Sequence, residues 1–144
     1  MKPFDYEHLE VGDDLGTKTI EITNELVREY TGLIESDHEW YRTTSPFGGP
    51  IAPPTILDNE TLRMIDKIYA RFGSIHAKQS WSFRKPVLIG SRVRVNVRIA
   101  DKFVKRDKGW FVMELTATDE TGDVVCTGRH TSAVSLVKKH EVAS

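Results

Sequence analysis

Asp37 and His38 set a carboxyl group beside an imidazole, and Tyr41 adds a phenol within one turn of chain. These are groups that move protons in general acid–base catalysis. All three lie in 36–54, a stretch without apolar periodicity that holds Ser45-Pro46, Phe47-Gly48-Gly49-Pro50 and Pro53-Pro54. Loops of this length inside a compact domain are usually functional or disordered. Trp40, Tyr41 and Phe47 bring aromatic surface that argues for an ordered, packed loop. Asp37, His38 and Tyr41 are therefore the catalytic candidates. Neighbours on an extended segment face opposite ways, so Asp37 and His38 need not act together. The competing reading for that pair is a solvated, turn-forming couple. For Tyr41 it is an amphipathic ring that packs the loop.

A second group of candidates sits at the start of the following helical pattern, where Asp58, Asn59 and Glu60 fall in the first turns. Acids there are favoured by the helix dipole, which is the plain explanation. The sharper one is a carboxylate base or nucleophile, and Glu60 shares a face with Leu57 and Met64. Substrate-binding candidates are Trp40, Phe47, Gly48, Gly49, Thr55 and Glu60. Gly48-Gly49 alone is too short for a phosphate-binding loop. Arg92, Arg94 and Arg98 form a basic strand face that is either solvated or able to meet phosphates, and Arg84-Lys85 reads the same way. His76 reads as a strand-edge histidine, and His8, His130 and His140 have no carboxylate or cysteine partners at metal-ligand spacing, so no metal site is expected. No cofactor is expected either. Cys126 is the one cysteine. It excludes an internal disulfide and a cysteine-rich zinc site, and its apolar strand predicts an inert thiol.

The elements that must position these groups come from a chain of 144 residues, a length for one domain over 1–144. Twenty Lys+Arg against 21 Asp+Glu give a formal charge of −1, which leaves no electrostatic footprint for nucleic acid or an anionic membrane. No apolar run is long enough to cross a bilayer, and the acidic, aromatic start does not read as a signal peptide. A cytoplasmic location is expected.

Thr17 to Ile22 alternates as a strand. Thr23 stands at a helix N-cap position, and Leu26, Val27, Tyr30, Leu33 and Ile34 predict a helix over about 24–35. Pro54 can open a second helix whose stripe runs Leu57, Thr61, Met64, Ile65, Ile68, Tyr69 and Phe72, with Gly73 as its C′ residue. That helix, about 18 residues by its periodicity, is expected to be the longest element. Strands follow over His76 to Arg84, around Val93, Val95, Val97 and Ile99, over Trp110 to Thr118, and over Val124 to Val137. Turns are expected at Asp107-Lys108-Gly109 and at Glu120-Thr121-Gly122-Asp123. A central helix wrapped by a curved antiparallel sheet is an α+β arrangement of the hotdog type.

The run Ser45-Pro-Phe-Gly-Gly-Pro-Ile-Ala-Pro-Pro-Thr-Ile-Leu57 resembles the start of the central helix in MaoC-like (R)-specific enoyl-thioester hydratases and dehydratases. So do Phe83-Arg-Lys-Pro-Val-Leu-Ile-Gly90 and the opening Phe4-Asp-Tyr-Glu-His-Leu-Glu-Val-Gly-Asp13. The resemblance implies a hotdog fold, acyl thioesters of coenzyme A or acyl-carrier protein as substrates, and homodimers or heterodimers of hotdogs. In that family a Gly-Asp-x-Asn-Pro-x-His loop holds the water added across the enoyl bond. In that register this chain has Ser36 for the aspartate and Tyr41 for the histidine. At the helix start the family has His-Gly, whose glycine N–H polarises the thioester carbonyl; this chain has Pro53-Pro54, and proline has no N–H. Three readings follow. One is a hydratase/dehydratase using Asp37, His38 and Tyr41 with backbone amides near Ile51 to Ile56. Another is a non-catalytic subunit that binds the acyl chain beside a catalytic partner. The last is a thioesterase using Glu60 or Asp58.

Overall fold

The computed structural model describes residues 2–70 and 73–136. Among the described residues, seven strands and two α-helices follow in the order β1 (Lys2–Pro3), β2 (Asp14–Glu21), α1 (Asn24–Leu33), α2 (Glu60–Ile68), β3 (Tyr69–Ala70), β4 (Ile75–Phe83), β5 (Arg92–Lys105), β6 (Lys108–Thr118) and β7 (Val124–Ser135). Five of the strands form one antiparallel sheet in the order β2-β5-β6-β7-β4, and β1 pairs in parallel with β3. No barrel closes: β2 and β4 are the two edges.

Alternation decides which face of the sheet is covered. Val93, Val95, Val97 and Ile99 of β5 and Phe111, Met113, Leu115 and Ala117 of β6 all point into the core, while Arg92, Arg94 and Arg98 face solvent. Arg92 pairs with Glu21 on the neighbouring strand at 3.1 Å. The register shifts by one residue between Ile99 and Asp101, between His76 and Lys78, and between Asp14 and Gly16. Such bulges bend a strand and raise its twist, which lets the sheet curl round the helix.

The first helix begins as the N-cap predicts, with Thr23 Oγ1 accepting from the Leu26 N–H at 3.1 Å. Its apolar stripe is narrower than expected. Val27 and Thr31 are buried, but Leu33 is 79% exposed and Ile34 is exposed beside it.

The second helix is shorter than the pattern predicts. Its stripe holds, with Leu57, Thr61, Met64 and Ile65 buried against the sheet. Regular helix, however, covers only Glu60–Ile68. Residues 54–59 are successive tight turns, in which Ile56 N donates to Pro53 O, Asp58 N to Thr55 O and Glu60 N to Leu57 O. The pair Pro53-Pro54 removes two donors there. At the other end Tyr69 and Ala70 leave the helix to pair with Lys2 and Pro3. Gly73 therefore caps no helix; it stands at φ 71° in the bend before β4. Phe72, expected in the stripe, lies outside the described residues, as do Val137 and the chain end. The longest element is β5 instead. The β5–β6 turn falls at Arg106 and Asp107, both with positive φ, one residue earlier than expected.

Candidate functional site

A cavity of about 460 Å³ opens where four chain segments meet: 38–47, 51–57, 83–87 and 125–126. Its floor is buried and apolar, made of Ala52, Ile56, Leu57, Val125 and Cys126. The loop forms one wall. Ile51 N donates to Trp40 O at 2.8 Å, and Ala52 N donates to Val87 O at 2.8 Å, which stitches the loop to the segment after β4. Trp40 meets Phe47 edge to face, with ring centroids 5.9 Å apart. The expectation of an ordered, aromatic-packed loop is met by these contacts. The mouth is framed by Phe47 and Phe83, 48% and 47% exposed, and by Arg84 and Lys85.

Two neutral polar side chains face this apolar space, His38 and Tyr41. His38 Nδ1 accepts a hydrogen bond from the Trp40 N–H at 3.1 Å. An accepting Nδ1 leaves the proton on Nε2, so the neutral ring presents a donor. Its ring lies 5.0 Å from that of Trp40 and 5.7 Å from that of Tyr41. Asp37 turns the other way. Its carboxylate is paired with Arg42 at 2.6 Å on an exposed surface and lines a separate depression with Arg28 and Ser36. The structure thus brings His38, Trp40, Tyr41 and Phe47 together and leaves Asp37 outside.

The remaining candidates lie around the cavity without lining it. Gly48 stands at φ 96°, a conformation that favours glycine, and Gly49 O accepts from Ser45 Oγ at 2.5 Å, so this pair shapes the turn behind Phe47. Thr55 Oγ1 is 2.6 Å from the Tyr30 hydroxyl. Glu60 is buried beneath the sheet, with Lys18 Nζ 2.6 Å from Oε2 and Arg63 Nη1 2.8 Å from Oε1. Two cations hold that carboxylate away from the cavity.

The backbone donors near the helix start are mostly used or missing. The amides of Ile51, Ala52 and Ile56 are bonded within the chain, and Pro53 and Pro54 have none. Only Thr55 N–H in this run makes no hydrogen bond among the described residues.

Tyr30 is the polar residue that helical spacing concealed. It sits on the stripe of α1, yet its hydroxyl donates to Asp58 Oδ2 at 3.2 Å while bonding Thr55. Burial pushes the Tyr30 phenol above its ordinary value; the Thr55 hydrogen bond opposes this and the Asp58 carboxylate adds to it. The available signal was chemical: a tyrosine on a buried stripe needs a partner for its hydroxyl.

Cys126 lines the floor, and burial pushes its thiol up to about 11. At pH 8 the thiolate is then about one part in a thousand of the side chain. Cys126 is expected to stay unreacted with a chromogenic disulfide reagent until the protein unfolds. Rapid labelling in buffer would overturn that.

No protein-family model matches the chain, and no curated protein does. Solved structures do. The monoamine oxidase regulatory protein from Archaeoglobus fulgidus superposes with a TM-score of 0.81 at 17% identity, over 96% of this chain and 98% of that one. The (R)-hydratase from A. caviae, involved in PHA biosynthesis, gives 0.75 at 22% identity over 89% and 98%. The HadBC complex from Mycobacterium tuberculosis, a 3R-hydroxyacyl-ACP dehydratase, gives 0.67 at 17% identity over 81% and 90%. Others are described as MaoC-like dehydratases. Among the described residues no helix is long and apolar enough to cross a membrane. The sheet order, the helix it wraps and these superpositions agree that the chain has the hotdog fold of the MaoC-like dehydratases and (R)-hydratases.

Proposed function

We propose that the chain binds acyl thioesters and serves a hydratase/dehydratase-type reaction as the acyl-binding member of a pair of hotdogs. The observation that carries this reading is the composition of the cavity wall. It is apolar, it presents the neutral donors His38 and Tyr41, and no carboxylate among the described residues lines it.

Hydration of a 2-enoyl thioester has three requirements. The carbonyl must be polarised so that C3 accepts the water oxygen; a base must take a proton from that water; and a proton must reach C2. The Nε2–H of His38 and the hydroxyl of Tyr41 suit the first, as hydrogen-bond donors to the thioester oxygen. Neither suits the second. The His38 nitrogen that could accept a proton is occupied by the Trp40 amide, and a tyrosine hydroxyl is a weak base. The water-activating base is therefore assigned to a second chain. Two of the solved structures that superpose on this chain, HadBC and ChsH1-ChsH2, are themselves complexes of unlike subunits, which supports such a division. The thioesterase reading is weaker, since Glu60 is turned from the cavity into its two cations.

The test is crotonyl-coenzyme A with the purified chain, read both by calorimetric binding and by enoyl absorbance. Binding with little or no loss of absorbance is the expected result. Turnover of about 1 per second or faster by the chain alone, the ordinary enzyme range, would show that a base lies within it and would overturn the division of roles. Release of free thiol would instead favour the thioesterase.

A further inference from the structure

Alternation gives the outer face of the sheet to solvent, but at one end that face turns apolar. On β6 the inward residues Phe111 and Met113 flank Val112, which points outward and is nonetheless only 6% exposed. Its outer-face neighbours Phe103, Trp110 and Ala133 are apolar too, and Ala133 is buried. None of the four belongs to the main core, which lies on the side of α2. A groove of about 690 Å³ runs over this patch from the β5–β6 turn to the edge strand β4. Lys78, Lys105, Arg106 and Arg129 line it, and among the described residues no carboxylate does. Arg129 is paired with Glu114 at 2.9 Å. Lys78, Lys105 and Arg106 have no acidic partner among the described residues. A chain whose 20 cations and 21 acids nearly cancel thus gathers unmatched positive charge around an apolar floor. Phe103 and Trp110 are cross-strand partners, with ring planes 3° apart and centroids separated by 5.9 Å. Trp110 is pinned, since its indole N–H donates to Lys105 O at 3.1 Å.

We propose that this groove is a second small-molecule site, for a ligand made of a planar aromatic ring joined to an anionic group. The ring lies against the Phe103–Trp110 pair over Val112, and the anion is held by the unmatched cations. Parallel rings fixed before the ligand arrives stack a further ring at little ordering cost. Lys78 shares a cross-strand row with Thr131 and Val112, two residues along β6 from Trp110, or roughly 7 Å. Lys105 and Arg106 close the side next to the turn. Cations around an apolar floor favour an anion that brings its own apolar body, because each half of such a ligand meets a matching surface. A nucleoside monophosphate and an aryl carboxylate share this chemistry, and the probes below separate them. The site is independent of the acyl-thioester reading, since it occupies the opposite face of the sheet from α2 and the helix-start cavity.

The experiment titrates AMP, 3-phenylpropionate, adenosine and inorganic phosphate by calorimetry into wild-type protein, Trp110→Leu and the double variant Lys78→Glu with Lys105→Glu. Lys78 and Lys105 are exposed, so the double variant is expected to fold, and its circular dichroism checks this. The expected result is that AMP or 3-phenylpropionate binds wild type with a dissociation constant on the order of 100 μM. Adenosine and inorganic phosphate, each half of the ligand, bind at least about tenfold more weakly. The double variant weakens the ring-bearing anions about tenfold or more and leaves adenosine unchanged. Trp110→Leu weakens AMP and adenosine alike. Added salt erodes AMP binding and spares adenosine. AMP binding tighter than 3-phenylpropionate assigns the site to nucleotides, and the reverse order assigns it to aryl carboxylates. The site is wrong if neither ring-bearing anion binds wild type below about 1 mM, or if the double variant binds them as wild type does. Inorganic phosphate binding as tightly as AMP would make the aromatic wall irrelevant and overturn the proposal. Displacement of AMP by crotonyl-pantetheine would put AMP in the helix-start cavity and overturn it as well.

Discussion

Ala52→Phe is expected to weaken binding of a long-chain acyl thioester by about a hundredfold or more while sparing the crotonyl ester. Ala52 is buried on the cavity floor, and its N–H is held by Val87 O, so the backbone cannot retreat. A phenyl ring at this position must occupy space that an acyl chain would use. Each methylene kept out of water is worth about 0.8 kcal/mol, so excluding about four forfeits about 3 kcal/mol, or roughly two orders of magnitude in affinity. The crotonyl ester serves as the internal control for folding, since it needs only the upper part of the cavity. Titration calorimetry across a chain-length series reads the effect. Wild-type affinity should climb with each added methylene until the floor is reached, and the variant should plateau earlier. Identical chain-length profiles for the two proteins would mean that the acyl chain does not lie on this floor. The ring also carries a stability cost of about 1–3 kcal/mol if part of it is forced into the core, visible as a lower unfolding midpoint.

Phe111→Ala is expected to cost about 3–5 kcal/mol of stability. Phe111 lies in the middle of β6, fully buried, with its ring 5.6 Å from that of Phe4. Its flanking strand β5 pairs with it from Arg94 to Lys105, with one bulge between Ile99 and Asp101, and β7 pairs with it from Val124 to Ser135. Strands paired on both sides cannot close over the missing ring, so most of the cavity should persist. A loss of this size is a large share of the 5–15 kcal/mol typical of a domain. Urea unfolding monitored by tryptophan fluorescence and by circular dichroism would measure it. A change below about 1 kcal/mol would show that the N-terminal segment around Phe4 collapses into the space, which the large-to-small series allows where a site can relax.

The strands were legible because side-chain period and burial coincide there. Val93 to Ile99 and Phe111 to Ala117 alternate in sequence and alternate in the structure. The Thr23 cap was legible for a similar reason, since the cap residue, its hydrogen bond and the following apolar positions are all local. The extent of α2 was not. Its stripe continues through Ile68 and Tyr69, but pairing of Tyr69 and Ala70 with Lys2 and Pro3 ends the helix, and a partner so far along the chain leaves no mark on local periodicity. Likewise the apolar spacing of Leu33 and Ile34 gave no sign that both side chains stay exposed at the end of α1.

Among the candidate residues, the loop containing His38, Trp40, Tyr41 and Phe47 stood out as a functional stretch, because nineteen residues without periodicity yet rich in aromatics are unusual in a small domain. Which of its side chains face the cavity was beyond the sequence. Asp37 and His38 are neighbours in the chain but point to opposite sides, one into an ion pair with Arg42 and the other toward Tyr41. Glu60 shares a helical face with Met64, yet that face meets Lys18 on β2 and not the cavity.

By itself the sequence determined the layers of this protein: a helix segregated onto an antiparallel sheet, and an aromatic, proline-rich loop entering that helix. Alternation, caps and punctuation are properties of neighbours, so a linear reading reaches them. Only the tertiary structure decided the geometry of the candidate site. It set the cavity where the loop, the helix start, the end of β4 and the start of β7 converge, fixed the His38 tautomer through a backbone amide, and neutralised Lys85. Each of those outcomes depends on the direction of a side chain and on a partner from a separate segment, and neither is encoded in spacing along the chain.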